Sequence, residues 1–151
     1  MQLPCELVCA HFTHLNSITG VVVVVRAGDK FVHVHKDVLS STSEFLKNAM
    51  KPEWRTDESA AIDLSDEYTA TVQAYCQWLY TRRLVKLTNN WLHLARLYVL
   101  GSKLKDKKFQ RMVLDAMIEM ASKRGGNPSF PVIKTIYDGT TKGSPARRLM
   151  V

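Results

Sequence analysis

The stretch FVHVHKDVLSSTSEFLKNAM, Phe31 to Met50, changes its apolar period part-way along. Up to His35 the chain alternates by two, with Phe31, His33 and His35 on one side and Val32 and Val34 on the other, as in a strand. Beyond His35 the apolar residues Val38, Leu39, Phe45, Leu46, Ala49 and Met50 fit helices, and Ser40-Ser41-Thr42-Ser43 breaks them into two. Ser41 and Glu44 have capping-box spacing. In such a pair the hydroxyl accepts from an early helical amide while the carboxylate bonds back, so the second helix is expected to start near Thr42.

Upstream, Val21 to Val25 is a β-branched run and Ala27-Gly28-Asp29-Lys30 supplies turn chemistry, so the two strands form a hairpin. Five successive valines predict a strand covered on both faces. With these features in place, the segment resembles the BTB/POZ domains. Their signature is an aromatic residue, a His-basic pair, a V-L pair, a serine-rich break and an S-x-x-F-like helix. Here those are Phe31, His35-Lys36, Val38-Leu39, Ser40 to Ser43 and Phe45. The resemblance implies an α/β (α+β) fold, the BTB/POZ fold, with a small three-stranded sheet and a cluster of five or more helices.

The likeness continues downstream. Ala61 to Leu64 is similar to the family's third strand. Val72, Tyr75, Cys76 and Leu79 recur at i, i+3, i+4 and i+7, one apolar face of a helix. That helix runs into Trp78-Leu79-Tyr80-Thr81, similar to the family's L-Y-T-G ending, with Arg82 where glycine is usual and a different turn geometry therefore expected. Trp91 to Leu104 is apolar nearly all round, as a buried helix would be. Phe109, Met112, Val113, Ala116, Met117 and Met120 mark the inner face of another helix, with Lys123 to Gly126 as its end signal. Residues 1–20 are read as an N-terminal segment, 21–124 as the domain and 125–151 as an extension. In the extension, Val132, Ile133, Ile136 and Tyr137 predict one short amphipathic helix. The ending from Ile136 to Leu149 resembles the segment that follows this domain in many fungal members, which makes Val151 a candidate truncation point.

Composition agrees. The 151 residues are 46% hydrophobic, enough for one domain with a sizeable core. No apolar run approaches the roughly 20 residues of a membrane span, and no leader pattern is present at the N-terminus, so a cytoplasmic or nuclear protein is expected. Cys5, Cys9 and Cys76 make an odd count, read as reduced thiols. Cys5, Cys9, His11 and His14 cluster like metal ligands, but the intervening loop of a zinc finger is missing and no metal site is assigned. The net charge of +7 favours acidic partners or nucleic acid. The cations are spread over several elements without interleaved aromatics, so direct nucleic-acid binding is not the expected use; a DNA- or chromatin-associated regulator is the alternative reading.

Nothing points to catalysis or to a cofactor. Gly139 to Ser144 has the composition of a phosphate-binding loop but the wrong spacing, and is read as a flexible turn. Asp63, Asp66 and Glu67 sit where a strand ends and a helix starts, and capping by Ser65 or Asp66 is expected. His33, His35 and His93 are read as buried, hydrogen-bonded histidines.

The resemblance therefore implies a protein-interaction module. Many members form homodimers, and some bridge a cullin scaffold to a ubiquitin-ligase substrate. In dimeric members an N-terminal segment packs across the partner; here Leu3, Leu7, Val8, Phe12, Leu15 and Ile18 either do so or cover the chain's own core. Two departures matter. Val21 lies near a position that is acidic in many members, so their charged dimer-centre pocket with Lys36 is not expected. Met50-Lys51-Pro52-Glu53-Trp54 spaces its glutamate one residue beyond the hydrophobic-x-Glu pattern of cullin binders. Met50, Glu53 and Trp54 are the candidate partner-binding residues, Met50 and Trp54 as exposed apolar anchors; Trp54 alternatively folds onto its own core.

Overall fold

The computed structural model describes residues 20–51, 61–84, 90–124 and 127–151. Two strands, β1 (Val22–Ala27) and β2 (Lys30–His35), form the hairpin, joined at Gly28 and Asp29. Gly28 takes φ 58°, and a side chain there would meet the Thr69 hydroxyl, which itself donates to the Ala27 carbonyl at 2.9 Å. Glycine answers both constraints. The chain then forms α1 (Lys36–Leu39), α2 (Glu44–Ala49) and β3 (Ile62–Leu64). β3 pairs with β1 in parallel, so the sheet runs β2-β1-β3.

Helices α3 (Thr69–Thr81), α4 (Trp91–Lys103) and α5 (Lys107–Arg124) complete the centre of the molecule. The expected apolar face of α3 is buried throughout, at Val72, Tyr75, Cys76 and Leu79. On α5, Phe109, Val113, Met117 and Met120 are buried, while Met112 and Ala116 pack at the margin. Tyr75, Trp78 and Phe109 form an aromatic knot between α3 and α5, with ring centroids 4.8 to 5.9 Å apart. Edge and offset contacts of this kind add to the apolar area the rings bury.

The C-terminal residues form two helices, α6 (Phe130–Gly139) and α7 (Pro145–Leu149), where one was expected. Val132, Ile136, Ala146 and Met150 join the same core as the sheet and the central helices. Gly139 is not in a flexible turn: it ends α6 and a Cβ there would run into Val99 of α4. Arg147 fastens α7 back onto α6 by donating to the Tyr137 carbonyl at 2.6 Å and to the Thr140 hydroxyl at 3.1 Å.

Two expectations are corrected. The valine run is covered on one face only: Val23, Val25 and Ala27 are buried, whereas Val22 is 48% exposed. The second helix is capped by Ser43, not Ser41; Ser43 Oγ accepts the Leu46 N–H at 3.0 Å, while the Ser41 hydroxyl donates to the Val38 carbonyl. That cap sets the helix phase. Leu46 and Met50, one turn apart, point inward, and Phe45 stands 40% exposed. We expect Leu46→Ala to cost about 2 to 5 kcal/mol and Phe45→Ala less than about 1.5 kcal/mol in chemical denaturation, because only the first leaves a cavity. Equal losses would contradict this phase.

Candidate protein-interaction surface

The fold-signature residues divide into those that hold the hairpin to the helices and those that face outward. Val38 and Leu39 are buried in α1. His35 and Tyr80 join β2 to the end of α3: the His35 backbone N–H donates to the Tyr80 hydroxyl at 3.0 Å, and His35 Nδ1 lies 2.7 Å from the same oxygen. One phenol thus serves both a strand end and an imidazole, which explains the pairing of a His-basic step with an L-Y-T ending. Ser43 is buried, and beyond capping α2 its hydroxyl donates to the Leu104 carbonyl at 2.6 Å.

Asp106 gathers the same region. Fully buried, it accepts the Phe109 N–H at 3.0 Å on Oδ1, and on Oδ2 it accepts the Tyr75 hydroxyl at 3.0 Å and the Thr42 hydroxyl at 2.5 Å. Burial, then the neighbouring carboxylate, push the Tyr75 phenol far above its ordinary range, so it stays a donor. The loop before α2, the middle of α3 and the start of α5 meet on one carboxylate.

Phe31 and the β1 valines make the outward face. The pairs Val22 with His35, Val24 with His33 and Arg26 with Phe31 stand on the outer side of the hairpin. Val22 is 48% and Phe31 60% exposed, so the face carries an apolar residue at each end. Single exposed apolar residues are ordinary; here Val22 and Phe31 share one sheet face with His33 and Arg26. The reading of Val21 to Val25 as doubly covered missed it, because a valine run reports hydrophobicity and not what lies against it.

Several expectations about individual residues change here. Met50 is 4% exposed and belongs to the core, so it is not an exposed anchor. His33 is exposed, and His93 is part-buried with no side-chain hydrogen bond among the described residues; burial, then Arg96, lower its pKa. Helix α3 has Tyr68 as its N-cap and no side-chain cap from Ser65 or Asp66. Asp63 instead accepts the Ser65 amide at 2.9 Å, which with the Ser65 hydroxyl holds its carboxyl below the usual range. Glu67 pairs with Lys103 at 3.1 Å. Arg82, where a glycine would be usual, keeps a left-handed turn at φ 55°. Glu53, Trp54, Leu3, Leu7, Val8, Phe12, Leu15, Ile18 and the Cys5, Cys9, His11, His14 cluster lie outside the described residues. Among the described residues, no group of His, Cys, Asp and Glu is placed to hold a metal, and no helix is long and apolar enough to cross a membrane.

This arrangement of hairpin, helices and signature contacts coincides with a family match. Residues 12–120 match the model of the BTB/POZ domain. The chain belongs to the BTB/POZ family. BTB domains are protein-protein interaction modules and not an enzyme family. No curated protein gives a significant match to the chain. The match starts within the N-terminal segment at Phe12 and ends at Met120, so α6 and α7 lie beyond it.

Two measurements test the internal contacts of this BTB domain. Tyr80→Phe removes the hydroxyl shared by the His35 amide and imidazole; we expect a loss of about 1 to 3 kcal/mol in urea unfolding. An unchanged midpoint would show that the contact is idle. Cys76 is buried with its thiol pushed up to about 12. In a Cys5→Ser, Cys9→Ser background it should resist a thiol reagent at pH 8 until denaturant is added. Because the folded pKa lies above the ordinary thiol value, this group's contribution is complete below about pH 8.5 and is lost as pH rises toward 12.

Proposed function

We propose that this chain is a self-associating BTB module that uses the outer face of its hairpin, together with its N-terminal segment, to pair with a second copy. The observation that carries the reading is the exposure of Val22 and Phe31 on one face of the hairpin. Val21 leads into β1, and its carbonyl accepts the Lys36 N–H at 2.8 Å. In the proposed dimer, the Leu3, Leu7, Val8, Phe12, Leu15 and Ile18 series of one copy packs on this face of the other. The two helices after Arg124 fit the extension that suggests a fungal-type member, and a cytoplasmic or nuclear setting suits a module with a buried, unpaired Cys76.

Adaptor activity toward a cullin scaffold is the secondary reading. It rests on Met50 to Trp54, and the burial of Met50 removes the exposed hydrophobic residue that pattern requires. Self-association is therefore the function we assign. Light-scattering mass after size exclusion should give twice the 17.1 kDa chain over a wide concentration range. Val22→Asp should return it to a monomer with its melting temperature nearly kept, because an exposed site changes stability little. A monomer at every concentration for the unmodified chain would overturn the reading.

A further inference from the structure

Two adjoining clefts open where the loop before α2 meets the end of α3 and the turn between α4 and α5. One, of about 350 Å³, is lined by Ser41, Thr42, Trp78, Arg82, Lys108 and Met112. The other, of about 510 Å³, shares Thr42 and Lys108 and adds Lys105, Lys107 and Glu44 among its walls. Together they form a groove with four cations and one lining carboxylate. Asp106 lies behind Thr42, but both its oxygens are taken by Phe109, Tyr75 and Thr42.

The cations are short of partners. Arg82 donates through Nη2 to the Ser41 hydroxyl at 2.8 Å and its guanidinium stands 4.9 Å from the Trp78 ring centroid. Its Nη1 is buried without an acceptor among the described residues. A buried guanidinium N–H without an acceptor is costly, and an oxygen entering the cleft that Arg82 lines would complete the fork. Lys105, Lys107 and Lys108 are exposed and pair with no carboxylate among the described residues. Lys107 and Lys108 also open α5, where the helix dipole disfavours cations and would favour an anion.

The backbone supplies an independent sign. Among the described residues only Arg82 and Lys105 are non-glycine residues with positive φ, 55° and 51°. Lys105 closes α4 in the manner of a Schellman turn, its N–H reaching the Ser102 carbonyl and that of Asp106 the Gly101 carbonyl, a place where glycine is the unstrained residue. Both strained positions carry cations, and each lines one of the two clefts. Strain kept at a charged groove points to use of the charge.

We propose that this groove binds an acidic peptide segment of a partner protein, its carboxylates meeting Arg82, Lys108 and Lys105 in succession. The proposal rests on the interaction-module reading and names the chemistry of a second partner site, apart from the outer sheet face. An elongated groove with spaced cations suits an extended chain better than one small anion. Nucleic acid fits less well, because Trp78, the only aromatic in the groove, is buried in the core and offers no stacking face.

Fluorescence anisotropy with labelled hexaglutamate, hexaglutamine and an oligothymidylate of similar charge tests this. Hexaglutamate should bind and hexaglutamine should not. Lys105→Gly with Lys108→Gln should weaken hexaglutamate about tenfold, while Lys105→Gly alone raises the melting temperature. Lys142→Gln with Arg148→Gln removes the same charge from the α6–α7 region, outside both clefts, and should leave the affinity within about twofold. Equal weakening by both pairs would reduce the effect to net charge and overturn the proposal. So would tighter binding of the oligothymidylate with the same dependence on Lys108. Failure of hexaglutamate to bind a chain that still forms dimers would overturn the groove while leaving the self-association reading intact.

Discussion

The buried carboxylate of Asp106 is the constraint around which the helical part of this domain is arranged. A carboxylate without solvent needs hydrogen bonds on both oxygens, and here it has three, from a helix-start amide, a phenol and a loop hydroxyl. Each donor comes from a different part of the chain. The Thr42 contact fixes the loop that leads into α2, Tyr75 fixes the middle of α3, and Phe109 fixes the first turn of α5. Ser43 adds a second strap between the same loop and the Leu104 carbonyl. The aromatic knot of Tyr75, Trp78 and Phe109 then packs beside a polar centre that is already satisfied, so neither layer compromises the other.

This polar centre explains why the serine-rich break in the sequence is structured. Ser40 to Ser43 reads as a simple interruption between two helical runs, and the capping-box spacing of Ser41 and Glu44 selects the wrong hydroxyl. What decides the matter lies some sixty residues away, in Leu104 and Asp106. Once Ser43 is the cap, the six residues of α2 have only one phase, and in that phase Leu46 and Met50 fill the core while Phe45 turns outward. A short helix gives too few apolar positions for its periodicity to choose between neighbouring phases. The longer α3 and α5, with apolar residues over several turns, were legible for that reason.

The same distinction runs through the surface. The alternation from Phe31 to His35 and the hairpin turn were readable, because period and turn chemistry are local. Which strand face stays open was not, since it depends on whether a helix happens to lie across it. Met50 passed for an exposed anchor because Met50 to Trp54 comes close to the hydrophobic-x-Glu pattern of cullin binders. In the fold it is one turn beyond Leu46 and joins the same core. Helix α7 was hidden by Gly143-Ser144-Pro145, which reads as loop, although proline just inside a helix start is a favourable signal when the following residues have a core to meet.

The basic groove was the least legible feature, and its parts show why. Lys105, Lys107 and Lys108 lie close together in the chain, but Arg82 is separated from them by more than twenty residues and appeared only as a missing glycine. The turn geometry at Arg82 did not change to suit the side chain; the side chain accepted the left-handed conformation and lies over Trp78. Lys105 does the same at the end of α4. A left-handed conformation costs an ordinary residue about 1 to 2 kcal/mol relative to its preferred state, and glycine at either position would avoid it. Thr42, which Asp106 anchors, and Lys108 line both clefts, with Arg82 in one and Lys105 in the other.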